Sequence, residues 1–269
     1  MGGFSGPFIQ SRNALKMHFD PADAGSIISG STTAIDLSGN LNSGSLNDGK
    51  VGKDAVGAAT APVSSSGVFH FDSTDYITVA NSADFTFGLG EFAIEMWLKF
   101  TNFSPGGDNW VTALQHSSAE HQRNGIFLFY TGASPDLEWR MECNWNSLVS
   151  GTGCYPAIID LDPYVDLNEW HMFTVSRVGQ HEIKMYVDTT LVYTDTTADG
   201  ASGPRGVTYE STWPDMNGDL LIADYRGADH HEFQGEIGPV RLYKGHSLND
   251  LEIKQNYNVM KNRFKELYS

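Results

Sequence analysis

The chain has 269 residues, with 33 acidic against 17 basic side chains and a formal charge of −16. A surface this acidic repels phosphate backbones, which excludes nucleic acid as a partner. With 40% apolar and 19% charged residues, the chain can bury a full core, and disorder over most of its length is excluded.

Taken in order, residues 1–13 set Phe4, Phe8 and Ile9 among glycines and read as a docking arm ahead of the fold. The first eight residues have no basic n-region and no apolar h-region, so no cleaved secretory signal is expected. No apolar run is long enough to span a bilayer, so membrane insertion is not expected either. Strands begin at residues 15–19. Residues 22–66 are rich in Gly, Ser, Thr, Ala and Asn and read as one long irregular loop around an Asp36-Leu-Ser-Gly-Asn40 turn. Short strands are expected at 68–71 and 76–79. Over residues 92–100, Phe92, Ile94, Met96, Leu98 and Phe100 share one face, while Glu95 and Lys99 lie on the other. This alternation marks a strand with one buried face. The same pattern covers residues 137–143, with Leu137, Trp139, Met141 and Cys143 inward. Further strands are expected at 111–115, 125–130, 171–177, 183–187, 191–194, 220–223 and 239–243. Gly, Pro, Asn and Asp clusters separate them and supply turn geometry. About a dozen strands without interleaved helices predict an all-β, antiparallel jelly-roll sandwich over 14–246.

Only the C-terminus reads as helical, over 247–269, with Ser247 as N-cap. Ile253, Tyr257, Met260, Phe264 and Leu267 form a four-three stripe that packs either on the sandwich or on a neighbouring subunit. Tyr257 and Phe264 are therefore docking candidates together with the arm. Charge divides along the same line. Residues 240–269 hold six basic and three acidic side chains, against a strongly acidic remainder. The two cysteines, Cys143 and Cys154, have ten residues between them. They either close a short β loop as a disulfide or stay reduced, and two thiols alone do not make a four-coordinate zinc site.

Several segments in order resemble the concanavalin A-like, laminin-G-like jelly-roll superfamily. They are Ala14-Leu-Lys-Met-His-Phe-Asp20, the Asp36–Asn40 turn, Phe71-Asp-Ser-Thr-Asp-Tyr-Ile-Thr-Val79, Phe92-Ala-Ile-Glu-Met-Trp-Leu-Lys99, Glu169-Trp-His-Met-Phe-Thr-Val-Ser-Arg177, Lys184-Met-Tyr-Val-Asp188 and Phe233-Gln-Gly-Glu-Ile237. Ser73 and Thr189 stand where that family usually has glycine. The ending, Gln255-Asn-Tyr-Asn258 through Lys261-Asn-Arg-Phe264, resembles laminin-G-like structural proteins of tailed bacteriophages.

The resemblance implies a fold that hosts lectins, adhesins, glycanases and structural modules. Catalysis is not expected. The Glu-x-Asp-x-x-Glu strand of the laminarinase-like families is missing, and Glu95 has no partner acid at even spacing within its strand, 92–100. In Asp229-His-His-Glu232 adjacent side chains point to opposite faces of a strand, so the two histidines do not share an ion. Some superfamily members bind calcium at a sheet edge, which makes Asp36, Asp224 and Asp229 the candidate ligands for calcium, with no other cofactor expected. Trp110, Trp145 and Trp213 lie in polar loop sequence. They either stack a sugar or are tucked under their loops. The leading expectation is a non-enzymatic virion protein of a tailed phage, a surface-displayed decoration or accessory protein assembled in the host cytoplasm. It would contact other virion proteins and form a homo-oligomer. The alternative is a lectin or adhesin module that binds a surface glycan.

Overall fold

The computed structural model describes residues 13–28, 31–48, 67–72, 75–103, 110–119, 122–131, 137–146, 154–179, 182–195, 218–224 and 233–265. In chain order the strands are β1 (Leu15–Phe19), β2 (Thr33–Ala34), β3 (Gly44–Asp48), β4 (Phe69–Asp72), β5 (Asp75–Val79), β6 (Phe92–Phe100), β7 (Trp110–Ala119) and β8 (Gln122–Thr131). They continue with β9 (Leu137–Asn146), β10 (Cys154–Asp160), β11 (His171–Val178), β12 (Glu182–Val187), β13 (Thr190–Asp195), β14 (Leu220–Ile222) and β15 (Gln234–Lys244), followed by helix α1 (Asp250–Lys265).

Alternation along the longer strands leaves an apolar stripe on one face, and two sheets close over the stripes. One is ordered β1-β15-β6-β11-β12-β13, with β4 also on β15. The other is ordered β10-β9-β8-β7-β14-β5-β3-β2. Every pairing between them is antiparallel. The core between the sheets is aromatic. Phe100 meets Phe129 edge-on at 4.8 Å, and Trp139 meets Phe173 at 5.2 Å, the offset and T-shaped geometries that ring quadrupoles favour. The architecture is the antiparallel sandwich with one C-terminal helix that the alternation predicts.

Three local expectations need correction. Residues 22–66 are not wholly irregular. They hold β2 and β3, the latter paired along its length with β5. Leu46 is the one core side chain of β3, too little for a visible period. Strand β10 was not anticipated either, because Pro156 interrupts its apolar run. The proline falls where the β9–β10 register shifts, on the edge strand, where a missing N–H is tolerated. Finally, the helix is capped by Asn249, not Ser247. Asn249 Oδ1 accepts from the amides of Leu251 and Glu252, and Glu252 Oε2 accepts from the Asn249 amide, forming a reciprocal capping box.

The polar side of β6 is also not a solvent face. All nine residues of the strand are buried, because α1 lies across the outer side of the seven-stranded sheet. Trp97 stacks on Tyr257 and Phe264, with centroids 5.5 and 4.5 Å away, and Leu15, Met172, Tyr186, Ile253 and Met260 complete this second core. Gly238 is required beneath the helix. A Cβ there would sit 2.7 Å from Phe264 Cζ and 3.0 Å from Trp97 Cβ.

Candidate functional site

Each sheet turns one face away from the core, and the two outer faces differ. Under α1 the outer face of the seven-stranded sheet carries a buried ionic cluster. Arg241, fully buried, pairs through Nη1 with Glu95 Oε1, and Asn256 of the helix donates to Glu95 Oε2 at 2.9 Å. Burial, the largest single effect, disfavours the Arg241 charge, but Glu95 together with Tyr243 and Asp20 more than offsets it, and the guanidinium pKa is raised. Arg241 Nε also faces His18 Nε2 at 3.3 Å. Burial, then the Arg241 charge, lowers the His18 imidazole to about 3, so it is neutral at ordinary pH. Arg263 of the helix donates to Asp20 at 2.7 Å and to the Gly67 carbonyl, and Tyr186 donates to Asp250 at 2.7 Å. Two arginines of the basic C-terminal stretch thus meet carboxylates of the acidic sandwich. Further along the same face Lys99 donates to Glu236 at 3.1 Å. These polar groups hold each other and the helix.

The eight-stranded sheet presents a different surface. On β5, Ile77 and Val79 enter the core, which puts Tyr76 and Thr78 on the outer face, both half-buried. On β3, Leu46 enters the core, which puts Ser45 and Asn47 outward. The register pairs Ser45 with Thr78 and Asn47 with Tyr76. Asn47 Nδ2 donates to Thr78 Oγ1 and to the Ser45 carbonyl, each at 2.9 Å. The result is a ledge of one aromatic ring, one amide and two hydroxyls. Sequence reasoning missed it because its two halves are about thirty residues apart. The only local signal was period two in residues 75–79.

The residues singled out from sequence fall in different places. Trp110 opens β7, half-buried. It alternates with the core residue Val111, so it lies on the same outer face as Tyr76, with β14 between their strands. Trp145 sits in β9 in register with Arg123. Trp213, Asp229, Phe4, Phe8 and Ile9 lie outside the described residues. Asp36 is buried, and its carboxylate organises the turn: Oδ1 accepts from the amides of His18 and Ser38, and Oδ2 from the Ser38 hydroxyl and the Asn42 amide. Those four hydrogen bonds tie the turn to β1 through His18. Asp224 follows β14, half-buried. Among the described residues, no three His, Cys, Asp or Glu side chains converge. Tyr257 and Phe264 both meet Trp97 of their own chain, and Phe264 is buried there.

Known proteins supply the context for this arrangement. The chain is similar in structure to the binding domain of Paraclostridial Mosquitocidal Protein 1 (TM-score 0.58, 13% identity, covering 93% of this chain and 53% of that one). It is similar to domain 4 of AbnA, a GH43 extracellular arabinanase from Geobacillus stearothermophilus, in complex with arabinotriose (0.54, 12%, 90% and 98%). It is also similar to the ligand binding domain of botulinum neurotoxin serotype D in complex with N-acetylneuraminic acid (0.56, 12%, 92% and 51%). This chain spans about half the length of the two toxin domains and nearly all of the arabinanase domain. At such identities the likeness is one of fold. No curated protein matches the chain in sequence. The laminin G model of the concanavalin A-like lectin/glucanases superfamily matches residues 71–254. That stretch runs from β4 into α1 and takes in most of both sheets, so the chain belongs to the concanavalin A-like lectin/glucanases superfamily.

Proposed function

We propose that this chain is a non-catalytic glycan-recognition module that holds its sugar on the outer face of the eight-stranded sheet, at Ser45, Asn47, Tyr76 and Thr78. The observation that carries the reading is the contrast between the outer faces. One is sealed by α1, while the other keeps an aromatic ring beside an amide and two hydroxyls. A ring face suits the C–H side of a sugar, and amide and hydroxyl groups match its hydroxyls as both donors and acceptors. Trp110, across β14, offers a second ring for a longer chain. Support comes from the fold neighbours: two are binding domains of toxins, one of them in complex with N-acetylneuraminic acid, and the third is an arabinanase domain in complex with arabinotriose. The ledge contains no carboxylate, so recognition proceeds without calcium.

A glycan array probed with the full chain tests this, with arabino-oligosaccharides and sialylated glycans among the probes. Binding is expected that Tyr76→Ala or Asn47→Ala weakens roughly tenfold or more, the loss typical of a central contact, and that EDTA leaves unchanged. No binding at millimolar sugar, or binding indifferent to both substitutions, overturns it. We place the module on a tailed-phage particle, where it would meet other virion proteins. This setting rests on the ending Gln255 through Phe264 alone. Proteomics of purified particles tests it separately, and absence of the protein from them removes the setting while leaving the glycan reading intact.

A further inference from the structure

The two cysteines of the chain are 143 and 154, and the β9–β10 register places Cys143 directly opposite Cys154. Residues opposed in this way on antiparallel strands have Cα atoms about 4.5–5.5 Å apart and share one face of the sheet. A disulfide needs Cα atoms about 4.4–6.8 Å apart. The separation that strand pairing imposes therefore falls within the range a cystine spans.

The place in the fold gives such a bond a purpose. Among the described residues, strand β10 is the last strand of its sheet and pairs with β9 alone. Its register shifts between Cys154 and Ala157, and Pro156 inside that shift donates no backbone hydrogen bond. The end of β10 nearest Cys154 is thus the weakly laddered part of an edge strand. The same strand packs beside β13 of the other sheet, so its loosening would open one side of the sandwich.

We propose that Cys143 and Cys154 form a cross-strand disulfide that staples the edge strand β10 to β9. In its formation two thiols lose two protons and two electrons as one S–S bond forms. A disulfide oxidant of the glutathione class takes up those electrons and protons and is reduced to two thiols.

The experiment uses the folded full-length chain, equilibrated with oxidised glutathione, then denatured in iodoacetamide and weighed intact. The expected result is a mass about 2 Da below that of the dithiol, with no carbamidomethyl adduct and no glutathione adduct. Two alkylated thiols, or persistent mixed disulfides with glutathione, overturn the proposal. Thermal unfolding supplies the second arm. Dithiothreitol should lower the Tm of the oxidised protein by about 5 °C or more. Cys143→Ser, Cys154→Ser and the double variant should show the same reduced Tm and no response to dithiothreitol, since each removes the same bond. Additive losses in the two single variants, with no dithiothreitol effect on the parent, would show two independent thiols and overturn it.

Discussion

The two outer faces of this sandwich start from the same strand chemistry, side chains alternating inward and outward with a period of two, and end as different objects. On the seven-stranded sheet the outward positions of β6 are Ala93, Glu95, Trp97 and Lys99, and the helix buries the first three. On the eight-stranded sheet the outward positions of β3 and β5 are Ser45, Asn47, Tyr76 and Thr78, which keep contact with solvent. The difference teaches that an outward position is a stability determinant on one sheet and a recognition candidate on the other. What decides is whether a later segment of the chain returns to cover it.

That contrast can be broken from the covered side first. Deleting residues 247–269 would expose Trp97, Met172 and Tyr186 together and strand Glu95 and Arg241 without Asn256. Loss of cooperative unfolding by urea is expected. A cooperative transition like that of the parent would mean the helix is an appendage. Glu95→Ala leaves the Arg241 guanidinium buried without its carboxylate and should cost about 3–5 kcal/mol in urea unfolding. Replacing both partners by apolar residues of similar volume should restore much of that loss. Gly238→Ala drives a methyl group into Phe264 and Trp97, and a loss of about 1–3 kcal/mol is expected; an unchanged midpoint would show that the helix slides freely over the sheet.

The pH dependence of stability gives a smaller and more selective probe. Burial, then the Arg241 charge, holds the His18 imidazole down to about 3 in the folded chain, against an ordinary value of about 6.5. Between those values the unfolded chain binds a proton that the folded chain does not, so stability falls as pH drops through that window. His18→Gln should flatten the unfolding midpoint against pH between about 6.5 and 3. A slope unchanged by the substitution would assign it to other groups. The smallest effect sharpens the comparison from the open side. Tyr76→Ala should cost no more than about 1 kcal/mol in stability while impairing glycan binding. A large loss of stability would show the ledge to be part of the framework.

How far the fold was legible follows from how each element announces itself. Strands β6 and β11 carry several apolar residues at even spacing, so their periods are visible locally. Strand β3 has only Leu46 to bury, and β2 is two residues long; β3 exists because β5 offers it a partner, and β2 because β3 does. The helix stripe was readable at Ile253, Tyr257, Met260 and Phe264. The capping box of Asn249 and Glu252 is also present in the sequence, three residues apart, but Ser247 two residues earlier is an equally favourable capping type. Asp36 shows the opposite limit. A carboxylate in a polar turn does not announce its partners, yet four donors converge on this one from His18, Ser38 and Asn42.

By itself the sequence determined what local chemistry can determine: strand alternation, turn positions, one amphipathic helix, and a strongly acidic charge balance. Which outward faces stay open is not local. It depends on α1 returning to lie on β6, and on β3 pairing with β5 from about thirty residues away. Contacts of that kind form between segments whose own patterns do not name each other, so only the tertiary structure decided that Glu95 is buried beneath a helix while Tyr76 and Asn47 stand together at the surface.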